Sequence, residues 1–139
     1  MAGISLTCEL DYMSVSSNVF PHCLQFFSSL NLGIFTSSNL IYLFDYIDSK
    51  IILSLKSHSS TIKAFTLVEE ETFLHIISGD AHNNIIHWSS EKKNIIHNWN
   101  PRFYKHENIQ QLSAIQIGNI IYFASYSMDS IIKIWKMVE

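Results

Sequence analysis

The chain has 139 residues, of which 47% are apolar, 13% aromatic and only 15% charged, and its formal net charge is −3. This balance predicts one folded domain with a substantial core and excludes an intrinsically disordered chain. No block of basic residues is present, so direct nucleic-acid binding is not expected.

Strand-like runs of Ile, Val, Tyr, Phe and Trp, bounded by Ser, Asn and Asp clusters, dominate the chain and predict an all-β protein. We expect an outer strand within residues 4–15, followed by three units at about 20–57, 58–105 and 106–139 of a single domain, 1–139. The expected strands are near 22–27, 32–37, 40–45 and 50–56, then 61–68, 73–79, 84–90 and 94–99, then 109–115, 119–125 and 130–137. The chain has only 4 glycines and 2 prolines, so Asn and Ser must serve many of the turns.

An aromatic residue recurs at the end of the third strand of each unit. Phe44, Trp88 and Trp135 are separated by 44 and 47 residues. A histidine accompanies the last two, because His58 stands 30 residues before Trp88 and His106 stands 29 before Trp135. A strand-rich repeat of about 40 to 50 residues predicts a β-propeller built from four-stranded blades.

This spacing resembles that of the WD-repeat family, whose unit has a His before its first strand and ends its third strand with Trp-Asp. The resemblance implies a hydrogen-bond network inside each blade. Its members are that His, a Ser or Thr of the second strand, an Asp of the following turn, and the Trp. In the third unit His106, Ser125, Asp129 and Trp135 match all four positions.

The other two units match the family pattern less completely. In the second unit His58, Ser78 and Trp88 match, but His82 stands where the Asp is expected. The first unit ends its third strand with Phe44-Asp45 and has no recognisable His marker. The resemblance thus implies a structural network of seven residues: His58, Ser78, Trp88, His106, Ser125, Asp129 and Trp135.

Shorter stretches are similar to the WD-repeat subunits of the Elongator complex. They are the Asn39 turn with Leu40–Asp45, the pair Ser78-Gly79 with Ile86-His87-Trp88, and His106 with Leu112-Ser113-Ala114. The resemblance implies a non-catalytic scaffold that supports modification of wobble uridines in transfer RNA. It also implies the largest and catalytic Elongator subunits as partners, no cofactor, and a cytoplasmic and nuclear location.

Other classes of function stay open. A WD-repeat adaptor of another assembly, in ribosome biogenesis, vesicle coats or ubiquitin ligases, fits the same repeat. A small hydrolase or a metal-binding β protein is a different class, and seven histidines invite it. However, the chain has no Gly-x-Ser-x-Gly elbow, no P-loop, no dinucleotide fingerprint and no Cys-x-x-Cys or His-x-His pair, so neither an enzyme nor a metal site is expected.

Two features bear on partners. Trp99, Arg102, Phe103 and Tyr104 surround Pro101, and Trp, Tyr and Arg are frequent interface anchors, although packing against a neighbouring blade explains them equally well. Propellers close with roughly four to eight blades, so three blades predict a ring that this chain does not close. The open blades could then bind another subunit or a second copy, unless the chain is a fragment or a reduced homologue.

The cellular environment is inferred from the cysteines and from the apolar runs. Cys8 and Cys23 are the only cysteines, which is too few for a disulfide framework. The first residues include Glu9 and Asp11 and lack the pattern of a signal peptide, and no apolar run approaches the roughly 20 residues of a membrane span. We therefore expect an intracellular protein with no membrane partner.

Overall fold

The computed structural model describes residues 24–27, 30–56, 58–70, 74–90, 94–99 and 108–137. These residues form eleven β-strands and no helix. The strands are β1 (Leu24–Phe27), β2 (Leu32–Ser37), β3 (Leu40–Asp45), β4 (Lys50–Lys56), β5 (Ile62–Glu69), β6 (Leu74–Asp80), β7 (Ile85–Ser89), β8 (Asn94–Trp99), β9 (Ile109–Ile117), β10 (Ile120–Ser127) and β11 (Ile132–Met137). Each strand predicted between residues 22 and 137 is present, with ends within two residues of the prediction. The strand expected within 4–15 lies outside the described residues.

The strands form three antiparallel sheets, each built from consecutive strands. The first sheet has the order β1-β2-β3-β4, the middle sheet β5-β6-β7-β8, and the third sheet β9-β10-β11. The prediction of an all-β chain with units of four, four and three strands is therefore confirmed. Within the described ranges the sheets are open, and none closes on itself.

Asparagine and serine make most of the left-handed turns, as the scarcity of glycine predicted. A positive φ is costly for most residues, but Asn tolerates it because its short polar side chain bonds locally. Among the described residues Gly118 is the glycine with positive φ. The non-glycine residues with positive φ are Asn31, Ser38, Ser49, Asn83, Asn108 and Ser130.

The middle sheet is buried on both faces, because the other two sheets pack against it. Every residue of β6 and β7 is buried. Since side chains alternate along a strand, neighbouring residues serve different cores. Ile76 and Trp88 pack with Ile34 of the first sheet, whereas Ile77 packs with Phe123 of the third sheet. The described strands therefore form a three-layer stack with one hydrophobic core on each side of the middle layer.

The two faces of each sheet can be told apart by the aromatic residue that ends the third strand. We call the side that carries Phe44, Trp88 or Trp135 the aromatic face, and the opposite side the reverse face. In the register, Phe44 pairs with Gly33 and Trp88 with Ile76, while Trp135 pairs with Phe123. The aromatic face of the middle sheet packs on the reverse face of the first, and the aromatic face of the third packs on the reverse face of the middle. The stacking is thus head to tail, with an aromatic face meeting a reverse face at both contacts.

No helix in the described part of the chain is long and apolar enough to cross a membrane.

Candidate functional site

A relay of four buried polar side chains runs through the middle sheet. His58 lies just before β5, and its Nε2 is 2.7 Å from Ser78 Oγ while its Nδ1 is 2.9 Å from Asp80 Oδ2. The indole Nε1 of Trp88 donates to the same Ser78 Oγ at 2.9 Å. Ser78 and Asp80 have no exposed surface, and Trp88 and His58 are 2% and 3% exposed. This polar relay ties the chain before β5 to strands β6 and β7.

Hydrogen-bond capacity determines the direction of two of the relay's three hydrogen bonds. An indole N–H can only donate, and an ionised carboxylate can only accept. His58 Nδ1 must therefore carry the proton that it shares with Asp80. Ser78 accepts from Trp88, and its own hydroxyl proton can be donated either to His58 Nε2 at 2.7 Å or to the Ile86 carbonyl at 3.5 Å. Every polar side-chain atom of the relay therefore has a hydrogen-bond partner, as a stable buried network requires.

The charge state of Asp80 follows from its contacts. Burial raises the pKa of this carboxyl, but hydrogen bonds from the His58 ring and from the side chain and backbone of Asn84 outweigh burial. The pKa of Asp80 therefore lies below its ordinary value of 3.8. The relay thus holds a carboxylate in its ionised form inside the protein, because every nearby partner donates to it.

Asp80 also organises the turn between β6 and β7. Its Oδ1 accepts from the backbone N–H groups of His82 and Asn84, both at 2.9 Å. The Asn84 side chain donates to Oδ2 at 2.9 Å. The backbone N–H of Asn83, a residue with φ of 67°, donates to the Asp80 carbonyl at 2.9 Å. One carboxylate therefore shapes a tight turn and orients the histidine of the relay.

The expectation that His82 stands in the place of the network's Asp is wrong. His82 is exposed, and it contributes its backbone N–H rather than its ring to the turn. The acidic member is Asp80, two residues after Ser78 instead of four. Because strand side chains alternate, residues two apart point to the same side, and this places both Ser78 and Asp80 against His58. The two-residue spacing in Ser78-Gly79-Asp80 was the sequence feature that could have identified Asp80 as the acidic member.

The described residues of the third sheet repeat the Trp–Ser contact of the middle sheet. Trp135 Nε1 donates to the buried Ser125 Oγ at 2.8 Å, which matches the Trp88–Ser78 bond. Asp129 lies in the turn after β10, where its Oδ1 accepts from the Ile131 backbone at 3.0 Å and from the Ser127 hydroxyl. Ser127 therefore occupies the place that Asp80 has in the middle sheet. His106 lies outside the described residues.

The first sheet replaces the polar relay with aromatic packing. Phe35 holds the register position of Ser78, and its ring lies 5.6 Å from Phe44 and 5.0 Å from Tyr42. The ring of Phe44 covers Gly33 so closely that a methyl group there would overlap it. Phe26 completes the cluster, 5.8 Å from Phe44 in an edge-on arrangement. The weak family match of this unit therefore corresponds to a different way of filling the same face.

A second buried polar cluster bridges the middle and third sheets. His75 Nδ1 and His87 Nε2 are 2.9 Å apart, and both residues are buried. Glu70 Oε1 lies 3.6 Å from His75 Nε2 and accepts from Gln116 of the third sheet at 2.9 Å. His97 pairs with His87 in the backbone register of β8, but its side chain is outside the description. Within the described ranges, no group of three or more His, Cys, Asp or Glu side chains is arranged to hold a metal ion.

The residues predicted to bind a partner fall at the edge of the described structure or beyond it. Trp99 is the last residue of β8, so it belongs to a strand, and its side chain is not described. Arg102, Phe103 and Tyr104 lie outside the described residues. Their proposed role in binding stays a prediction.

The relay has the atom order of a Ser–His–Asp nucleophile system, so its accessibility decides what it can do. Ser78 has no exposed surface, and its oxygen already accepts the Trp88 proton. A groove of about 420 Å³ opens between β5, β9 and β10, and none of the four relay residues lines it. In the described structure these four side chains are buried and hold the strands of the middle sheet in register.

Neither a protein-family model nor a curated protein sequence matches the chain. Function is therefore inferred from the polar relay and from the surfaces of the stack.

Proposed function

We propose that the chain is part of a WD-repeat β-propeller and acts as a non-catalytic scaffold that binds other proteins. The observation that carries this proposal is the polar relay of His58, Ser78, Asp80 and Trp88, with its three hydrogen bonds of 2.7 to 2.9 Å. These are the four residue types that the WD-repeat resemblance implies. His58, Ser78 and Trp88 hold the positions that it implies, whereas Asp80 ends β6 instead of lying in the turn that follows. The face-to-face stacking of antiparallel sheets supports the same reading, because propeller blades pack in this manner.

Burial of the relay supports a structural role over a catalytic one. A catalytic serine must reach its substrate, whereas Ser78 and Asp80 have no exposed surface. Buried polar groups are retained at little cost when each one is paired, and they then fix the relative positions of the strands that carry them. The relay accordingly serves as an internal brace for one blade.

The assembly we propose for this scaffold is an Elongator-like complex. The support is the set of short matches at Leu40–Asp45, Ile86-His87-Trp88 and Leu112-Ser113-Ala114. In this proposal the chain binds the largest and catalytic subunits, needs no cofactor, and works in the cytoplasm and nucleus. The catalytic subunit then performs the chemistry on wobble uridines of transfer RNA, and this chain contributes binding surfaces.

Affinity purification with quantitative mass spectrometry tests the proposal. Tagged chain expressed in its own cells is expected to recover the largest and catalytic Elongator subunits, and its removal is expected to lower the wobble-uridine modification of transfer RNA. Recovery of coat, ribosomal or ubiquitin-ligase proteins instead would refute the Elongator assignment and favour the adaptor alternative. Recovery of no reproducible partner would refute the scaffold.

A Ser78→Ala variant separates scaffold from hydrolase. Partner recovery is expected to persist at a temperature where circular dichroism shows that the variant is folded, because the hydroxyl braces the blade and has no exposed surface. A hydrolytic activity of the wild-type chain that disappears in this folded variant would contradict the non-catalytic reading.

A further inference from the structure

Two buried histidines, His75 of β6 and His87 of β7, lie in the contact between the middle and third sheets. They are 4% and 3% exposed. The strand register places both on the reverse face with Ile77, which packs on Phe123 of the third sheet. The centroids of the two rings are 5.0 Å apart, and His75 Nδ1 is 2.9 Å from His87 Nε2. This histidine pair therefore lies inside the core that joins the two sheets, on the face opposite the polar relay.

The contact between the two rings limits how many protons the histidine pair can hold. A hydrogen bond between imidazole nitrogens needs one N–H group and one lone pair. A neutral pair satisfies this condition, and so does a pair in which one ring is charged. When both rings are charged, each nitrogen of the 2.9 Å contact carries a hydrogen, and two cations face each other. The contact therefore survives one added proton and is broken by a second.

A carboxylate beside the histidine pair offsets the first added proton. Glu70 Oε1 lies 3.6 Å from His75 Nε2, the ring nitrogen that points away from His87. The same oxygen accepts from the side chain of Gln116 in β9 at 2.9 Å. Glu70 therefore connects the histidine pair to the third sheet and supplies one negative charge.

The other charged or titratable groups on these two faces are a histidine and a lysine. His97 pairs with His87 in the register of β8, and its side chain is outside the description. Lys133 of β11 lies on the aromatic face of the third sheet, because it pairs with the buried Ser125. In their described residues β9 and β10 present uncharged side chains on that face. Neither His97 nor Lys133 is an anion, so neither can offset a second added proton.

We propose that the histidine pair is a pH switch that loosens the packing of the third sheet on the middle sheet when both rings are protonated. A histidine in water takes up a proton near pH 6.5, so below about pH 6 both rings are charged once the contact is open. The closed contact holds one proton fewer, and each pH unit below about 6 therefore favours opening by roughly tenfold. The packing is thus fully stable above about pH 6.5 and weakens as the pH falls. The switch concerns how the sheets pack, whatever the chain binds, so its failure would leave the proposed function untouched.

The polar relay, on the face toward the first sheet, is built to accept a proton. A proton added to His58 Nε2 is donated to Ser78 Oγ, while Nδ1 keeps its bond to the ionised Asp80. The Ser78 hydroxyl then donates to the Ile86 carbonyl. All members of the relay stay paired when His58 is charged, so the contact between the first and middle sheets is expected to keep its stability from about pH 7 to 5. The two cores of the stack therefore respond differently to acid.

Deuterium uptake of the full chain, measured by mass spectrometry and corrected for the intrinsic effect of pH on exchange, tests the switch. In the wild type the opening constant of β9 to β11 is expected to rise roughly tenfold from about pH 6 to 5. The opening constant of β1 to β4 is expected to change by less than about twofold over the same range. An equal rise in both outer sheets, or no rise in the third sheet, would overturn the proposal.

His87→Gln tests whether the histidine pair senses the pH. The Gln amide can replace Nε2 as a hydrogen-bonding group but takes up no proton, so the rise in the third sheet is expected to fall to about twofold or less. His75→Asn, whose amide replaces Nδ1, serves the same purpose if His87→Gln does not fold. His82→Gln is the matched control, because His82 is exposed in the turn between β6 and β7, and it is expected to keep the wild-type response. A full response in folded His87→Gln, or a lost response in His82→Gln, would assign the switch to another group and refute the proposal.

Discussion

Replacing Asp80 by Asn removes the charge at the centre of the polar relay while keeping the size of the side chain. The carboxylate accepts from His58, from two backbone N–H groups and from the Asn84 amide, and no water reaches it. Hydrogen bonds to a charged group contribute about 1.5 to 3 kcal/mol each, and a buried unpaired donor costs about 1 to 3 kcal/mol. An Asn side chain must turn its NH₂ group toward one of these donors. We expect Asp80→Asn to lower the free energy of unfolding by about 3 kcal/mol, or the melting temperature by roughly 10 °C.

Asp48→Asn is the matched control for this substitution. Asp48 also pairs with a basic residue, Lys50 at 2.9 Å, but the two side chains are 57% and 63% exposed. An exposed pair contributes at most about 1 kcal/mol and usually less. Urea unfolding followed by circular dichroism measures both variants. If Asp80→Asn lowers the free energy of unfolding by no more than Asp48→Asn does, the relay does not stabilise the sheet.

The same two proteins, wild type and Asp80→Asn, can be compared across pH. The pKa of Asp80 is lowered in the folded chain from an ordinary value of 3.8, so its contribution to stability is fully present above that value. It is lost as the pH falls through the folded pKa. The gap in unfolding free energy between the two proteins is expected to be constant from about pH 7 to 5 and to narrow below about pH 4. A gap that narrows near neutral pH would assign the effect to another group.

Two further predictions concern glycine and tryptophan positions. Gly33→Ala is expected to cost about 1 to 3 kcal/mol because the new methyl overlaps the Phe44 ring, and less of that cost should remain in a Phe44→Leu background. Gly118→Ala should cost about 1 kcal/mol in either background, since its φ of +60° is strained for alanine and its surroundings are open. If the Phe44→Leu background lowered the cost of both glycine substitutions by the same amount, the proposed overlap between residue 33 and the Phe44 ring would be wrong. Trp88→Phe is expected to lower the free energy of unfolding by about 2 to 3 kcal/mol and Trp135→Phe by about 1 kcal/mol, because Trp88 is fully buried and Trp135 is only partly buried. Thermal unfolding checks this order, and the reverse order would show that the third sheet has the stronger network.

Local sequence signals were sufficient for the strands. Apolar runs bounded by Ser, Asn and Asp gave each strand from Leu24 to Met137 to within two residues. The reason is that each unit is built from neighbours in the chain, with short turns, so no long-range pairing had to be guessed. The spacing of His58, Ser78 and Trp88 likewise indicated three of the four relay members that the structure brings together.

The acidic member was missed for a geometric reason. The turns after β6 and β10 have equal length, but Asp80 is the last residue of β6, whereas Asp129 stands two positions after the end of β10. In the third sheet Ser127 stands where Asp80 would, and Asp129 reaches back to it. Asp129 stands four residues after Ser125, and the same spacing from Ser78 leads to His82. Only the direction of the side chains shows which position faces His58.

The sequence also did not predict which face of each sheet packs against which neighbouring sheet. Runs such as Ile120–Ala124 are apolar on both sides, so periodicity does not distinguish their faces. The contact between His75 and His87 depends on strand register, which the approximate strand limits did not supply.

The head-to-tail stack has a consequence for how the molecule opens. The two hydrophobic cores share no residue, since one lies between the first and middle sheets and the other between the middle and third. Stacked units that contact only their neighbours gain stability contact by contact, so either outer sheet can detach while the other contact stays intact. The middle sheet cannot open without exposing both cores. Its amides in β6 and β7 should therefore exchange with solvent only on global unfolding, while those of the outer sheets exchange through smaller, local openings.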